Sequence, residues 1–122
     1  MIFCLRRLPG LTQAEFQRYW REEHAPLVRE AAPLLNIRRY VQSHSIEDPR
    51  IAPAVAARGC DVAPYDGVAE LWWDSMEDIV AAGATKAGRD AGRRLLADEA
   101  KFIAAKESTL FYVAENEVVS RG

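Results

Sequence analysis

Phe16-Gln17-Arg18-Tyr19-Trp20-Arg21-Glu22-Glu23-His24-Ala25-Pro26-Leu27-Val28 carries its apolar residues at helical spacing, so that Phe16, Tyr19, Trp20, Leu27 and Val28 share one face and His24 falls among them. An imidazole is thereby set on the side that a helix buries. Pro26 adds a second irregularity: it has no N–H to give to the carbonyl of Glu22, and its ring disfavours helical dihedrals at Ala25. The helix is expected to kink or restart beside His24. The histidine is then either a core residue satisfied by the freed carbonyls, or a ring with one nitrogen fixed and the other facing a cavity.

The flanking sequence frames this helix. Thr12 and Glu15 form a capping box, with Leu11 and Phe16 as a hydrophobic staple, and Pro33 stops the helix after about Ala32. Ile2 to Arg6 reads as a short strand ended by Pro9-Gly10. A second strand runs from about Asn36 to Ser45, where alternation puts Arg38, Tyr40, Gln42 and His44 on one face. Gly67 to Asp74 is a third strand, apolar on both faces, with Glu70 beside Val68 and Trp72 on one and Ala69, Leu71 and Trp73 on the other. Ser75, with Asp78 three residues on, caps a second helical region, which should break near Gly83 to Thr85 and then continue to about Lys106. The last strand is expected from Thr109 to about Val118. Ile46 to Asp66, punctuated by Pro49, Pro53, Gly59 and Pro64, is a long loop with room for a helical turn near Ala54 to Arg58; it is a lid, a partner contact or a disordered excursion.

The order β-α-β-β-α-β is that of a ferredoxin-like α+β sandwich with four antiparallel strands and both helices on one face. The 122 residues make one domain, residues 1–122. Two helices cannot cover both faces of the sheet. The apolar far side therefore calls for a second subunit, giving a homodimer whose paired sheets close into a barrel.

Sixteen basic residues against eighteen acidic ones, with no basic run beyond arginine pairs, point to neither nucleic acid nor membrane as a partner. The N-terminal apolar stretch is too short for a secretory signal, so a cytoplasmic protein is expected. Cys4 and Cys60 lack metal-ligand spacing and fit as reduced thiols. No glycine-rich phosphate loop suggests a dinucleotide.

Tyr19 to Leu27, an aromatic pair followed by His24-Ala25-Pro26, resembles the first-helix motif of the EthD-like family of dimeric α+β barrel proteins. Ala97-Asp98-Glu99-Ala100-Lys101-Phe102-Ile103 is similar to that family's Asp-Glu-x-x-Phe segment, and the order of elements agrees along almost the whole chain. The resemblance implies a homodimer with a small-molecule pocket, in catabolism of ethers, aromatics or lactones or in polyketide metabolism. Its relatives include cofactor-independent isomerases, dehydratases, decarboxylases and monooxygenases. The namesake group is an accessory in an oxidative degradation pathway, grouped loosely with oxidoreductases. His24 matches the family's histidine, Tyr40 a pocket-facing strand tyrosine, and Glu70 a recurring acidic position. Leu71 stands where the muconolactone isomerase-type relatives carry a cysteine.

The leading expectation is an enzyme that moves a proton on a small hydrophobic substrate without cofactor or metal. His24 acts as base or acid, Tyr40 donates a hydrogen bond, Glu70 steadies charge, and Trp20, Trp72 and His44 contact substrate. Asp98 and Glu99 lie late in a helix, against its dipole, and are assigned structural pairing with an arginine or a backbone N–H. Two other functions stay open: a non-catalytic ligand-binding or accessory dimer, and a haem- or quinol-type monooxygenase in which His24 ligates iron.

Overall fold

In the computed structural model, which describes all 122 residues, strands β1 (Ile2–Leu5), β2 (Arg39–His44), β3 (Gly67–Trp72) and β4 (Thr109–Phe111) form one antiparallel sheet in the order β2-β3-β1-β4. This is the α+β, ferredoxin-like arrangement expected. Tyr40 lies opposite Leu71, Gln42 opposite Ala69, and Ala69 opposite Phe3. One face of the sheet therefore carries Phe3, Leu5, Tyr40, Gln42, His44, Ala69 and Leu71, and the other Ile2, Cys4, Val41, Val68, Glu70, Trp72 and Phe111.

The first helical layer is a continuous rod made of α1 (Gln13–Tyr19), a π-helical turn (Trp20–His24) and α2 (Ala25–Ala31). Thr12 and Glu15 make the expected capping box, their side chains bonding reciprocally to each other's backbone N–H. Pro26 does not break the rod. The helix widens instead, with the N–H of Ala25 reaching back five residues to the carbonyl of Trp20, and Pro26 sits in the first turn of α2 where its missing N–H is tolerated. The widened turn carries both Trp20 and His24.

A short helix, α3 (Ala52–Ala56), interrupts the long loop. The loop is tied at its base by Ser45 to Tyr65 and Asp66, and by Arg6, which lies over the Tyr65 ring and bonds the carbonyls of Ala63 and Pro64. The second helical layer is α4 (Met76–Ala84) and α5 (Lys86–Glu99), separated at Thr85, whose extended backbone ends one helix and whose hydroxyl caps the next through the N–H of Gly88. The break falls where Gly83 to Thr85 predicted it.

Three boundaries differ from expectation by three residues or more, and β3 ends at Trp72 rather than Asp74. β2 starts at Arg39 because Asn36 takes a left-handed turn (φ 57°) after the helix and donates its side-chain amide to Asp78. Instead of reaching Lys106, α5 ends at Glu99, where a tertiary attachment wins: Ala104 donates to the carbonyl of Arg6, and Arg7 bridges Ile103. β4 stops at Phe111, beyond which the chain leaves the sheet and Glu115 accepts from the Trp72 indole.

Leu5, Phe16, Trp20, Ala69, Phe102 and Ile103 form the core between the sheet and the helices. Gly67 makes that contact possible: a Cβ there would lie 2.4 Å from the Trp20 ring and 2.9 Å from the carbonyl of Ser43. Trp20 thus lies directly on the β3 backbone, which brings the π turn and His24 down onto the sheet.

Candidate functional site

His24 is buried, 4% exposed, and stacks obliquely on Phe102 with ring centres 5.0 Å apart. Its Nδ1 lies 2.7 Å from Oδ2 of Asp98, itself 6% exposed, and the other Asp98 oxygen accepts from the Tyr19 hydroxyl at 2.7 Å. Lys101 stands 3.6 Å from the same carboxylate. Burial alone would raise the Asp98 carboxyl, but the hydrogen bonds from Tyr19 and His24 outweigh it and hold the group below the usual carboxylate range. An ionised carboxylate only accepts, so Nδ1 of His24 carries the proton. The Tyr19 phenol is pushed up to about 12, first by burial and then by its bond to Asp98, and remains a donor.

Burial pushes His24 below its ordinary value, and the opposing pull of Asp98 does not restore it. The ring is therefore neutral at pH 7, with Nε2 a bare acceptor. The only buried side-chain nitrogen or oxygen without a hydrogen-bond partner is Nδ1 of His44. Nε2 of His24 bonds to no protein group and is not among the sealed unpartnered atoms, and His24 lines the cleft beside it.

That cleft has a volume of about 50 Å³ and lies between the helices and the sheet; its walls include Phe3, Trp20, Val28, Tyr40, Leu71 and Leu95. Tyr40 carries a hydroxyl held by two donors. The oxygen accepts from the Trp20 indole at 3.2 Å and from the Gln42 amide at 3.1 Å, which leaves the phenolic proton free to be donated. Burial raises its pKa, opposed by those two bonds. Glu99, next to Asp98, also lines the cleft; burial first, and then the charge of Asp98, push its carboxyl up to about 7.

The sequence-derived set is thus only partly assembled. His24, Trp20 and Tyr40 meet in one cleft. His44 shares the sheet face with Tyr40 but sits behind Trp20, its ring 4.5 Å from the indole and its Nε2 bonded to Gln42, so it does not reach the cleft. Glu70 and Trp72 are on the opposite face of the sheet, in a groove with Ile2, Trp73, Met76 and Tyr112, because strand alternation sends them away from Ala69 and Leu71. They are not partners of His24. Asp98, expected to pair with an arginine or a backbone N–H, pairs instead with His24 and Tyr19, and Glu99 lines the cleft without a side-chain partner. Two sequence signals marked them: acids ending a helix whose dipole disfavours them, and the Asp-Glu-x-x-Phe segment they open.

No residue between Ile46 and Asp66 lines the cleft. The cleft beside His24, about 50 Å³, is far smaller than a porphyrin. No group of three or more potential metal ligands clusters anywhere in the chain, and no helix is long and apolar enough to cross a membrane.

The architecture defines a ferredoxin-like α+β domain with a buried His–Asp pair opening on an apolar cleft. A family model, the EthD domain, matches residues 8–106, and the chain belongs to the EthD family. A solved structure of an ethyl tert-butyl ether d (EthD) family protein from Bacillus halodurans C-125 has the same fold, with a TM-score of 0.59 at 23% identity over 94% of this chain and 96% of that one. No curated protein matches the sequence significantly.

Proposed function

We propose that this EthD-family protein is a cofactor-independent enzyme of small-molecule catabolism, in which His24 transfers a proton on a hydrophobic ether-, aromatic- or lactone-derived metabolite. The observation that carries this is the polarity of the His24 ring. Nδ1–H donates to Asp98 Oδ2, 2.7 Å from Nδ1, which leaves Nε2 as the neutral base on a ring that lines an apolar cleft. Fixing the tautomer removes the cost of orienting the base during reaction, and the ion pair formed on proton uptake is stabilised by the carboxylate already in place. Tyr40 supplies a donor for the oxygen on which charge develops.

The working form is a homodimer in a reducing, cytoplasmic setting. In support, the outer sheet groove that holds Glu70 and Trp72 is largely apolar, Leu110, Phe111, Tyr112 and Val113 stand exposed along its edge, and both cysteines are free thiols. Trp72→Glu should convert the dimer to monomer in sedimentation equilibrium; a wild-type monomer at micromolar concentration would refute the assembly.

One second reading, a non-catalytic binding or accessory dimer of an oxidative pathway, is favoured by the burial of His24 and its pairing with Asp98, which also suit a structural contact. Exchange of the α protons of cyclohexanone in deuterated buffer, followed by proton NMR, separates the two. An acceleration over buffer that is lost in His24→Gln supports the enzyme. Exchange at the buffer rate, or equal rates in both proteins, removes His24 from proton transfer.

A further inference from the structure

Glu99 faces the same cleft as His24 and Tyr40 from the last turn of α5, among Val28, Leu71, Leu95 and Ile103. Every other acid brought to this region is engaged: Asp98 holds His24 and Tyr19 and has Lys101 nearby. Glu99 makes no side-chain hydrogen bond and no ion pair, yet its oxygens are not sealed in packing, since His44 Nδ1 is the single buried unpartnered side-chain atom. The charged and titratable groups around it are His24 from the π turn, Tyr40 from β2, the Met1 ammonium ahead of β1, and Asp98 on its own helix; β3 contributes only Ala69 and Leu71. The ammonium is bonded to the carbonyl of Leu71 at 2.8 Å. No cation pairs with the Glu99 carboxylate, and the negative end of the α5 dipole opposes its ionisation.

We infer that Glu99 is a second catalytic group, the acid that protonates the carbonyl oxygen of an enolisable substrate while Nε2 of His24 removes the α proton. The inference rests on the proposed role of His24 and names the substrate class as carbonyl compounds bearing an α C–H and an apolar body. The step balances within the chain and substrate. The C–H bond breaks and its electron pair becomes the C=C bond of the enol. The C=O π pair takes the Glu99 proton, leaving a Glu99 carboxylate and a His24 imidazolium. Reversal at the same carbon gives exchange, and return of the proton to a conjugated carbon gives a double-bond shift. A carboxyl titrating near 7 is half protonated where an imidazole is still neutral, which is the condition an acid–base pair needs.

The test uses the intact protein with cyclohexanone as probe, comparing wild type, Glu99→Gln, Glu99→Leu and His24→Gln by proton NMR exchange between pH 5 and 9. Wild type should give a bell-shaped profile, rising as His24 loses its proton and falling through about 7 as Glu99 ionises. Both Glu99 variants should exchange at least about tenfold more slowly and lose the descending limb. Glu99 variants within twofold of wild type, with the descending limb retained and His24→Gln inactive, would overturn the role of Glu99 and leave that of His24 intact. A wild type no faster than buffer would overturn both. A carboxyl ¹³C titration of glutamate-labelled protein reads the same group independently of turnover: the resonance titrating near 7 should vanish in Glu99→Gln, and its absence from wild type would also overturn the proposal.

Discussion

Replacing Glu99 by glutamine should stabilise the protein at pH 8 and leave it nearly unchanged at pH 4.5. The carboxyl is pushed from its ordinary 4.5 up to about 7 because it is buried and lies next to the Asp98 charge. A group raised in this way favours the fold only while protonated. Its contribution is fully present below about 4.5 and is lost as pH rises through about 7, because the unfolded chain releases the proton first. At about 1.4 kcal/mol per tenfold change in proton affinity, the difference amounts to about 3 kcal/mol at pH 8, or about 2 kcal/mol once the partial exposure of the side chain is discounted. Glutamine keeps the shape and removes the charge. For a chain of this size, about 2 kcal/mol corresponds to a rise in Tm of roughly 8 °C. His24 and Asp98 titrate in the opposite sense, their lowered values costing stability as pH falls, so the comparison must be variant minus wild type at each pH. Calorimetry at equal protein concentration provides the assay. A Tm difference that does not change between pH 4.5 and 8 would refute the reasoning.

Asp98→Asn should lower His24-dependent exchange by about a hundredfold and cost about 1–3 kcal/mol, since His24 loses the partner that fixes its tautomer and the Tyr19 hydroxyl faces a poorer acceptor; exchange kinetics and urea unfolding read the two effects. Gly67→Ala should destabilise by about 1–3 kcal/mol and alter Trp20 fluorescence, because the added carbon would lie 2.4 Å from the indole with strand backbone behind it. Thr12→Ala should cost about 1 kcal/mol in urea unfolding without affecting exchange, since it removes one arm of a capping box remote from the cleft.

What the sequence disclosed was governed by range. Thr12 with Glu15, Ser75 with Asp78 and the break at Thr85 depend on neighbours within a few residues, and each formed where expected. His24 could be placed on a buried face by helical period alone. The residue that gives it chemical direction could not: Asp98 is 74 positions away, and only the packing of α5 against the π turn brings the two together. Alternation along β3 correctly grouped Glu70 with Trp72, but with both faces apolar it could not say which one the helices cover, and the structure puts the pair on the face away from the His24 cleft. Pro26 announced an irregularity whose form was decided by context, since the rod recovered its hydrogen bonding by widening one turn.

Nitrogen-15 NMR of imidazole-labelled protein at pH 7.5, with His24 assigned by its loss in His24→Gln, observes the ring's protonation directly. A neutral ring protonated at Nδ1, with an unprotonated Nε2 that shifts when a ligand enters the cleft, is the predicted spectrum. An Nε2–H tautomer, or an imidazolium persisting at that pH, would contradict a base held in readiness by Asp98.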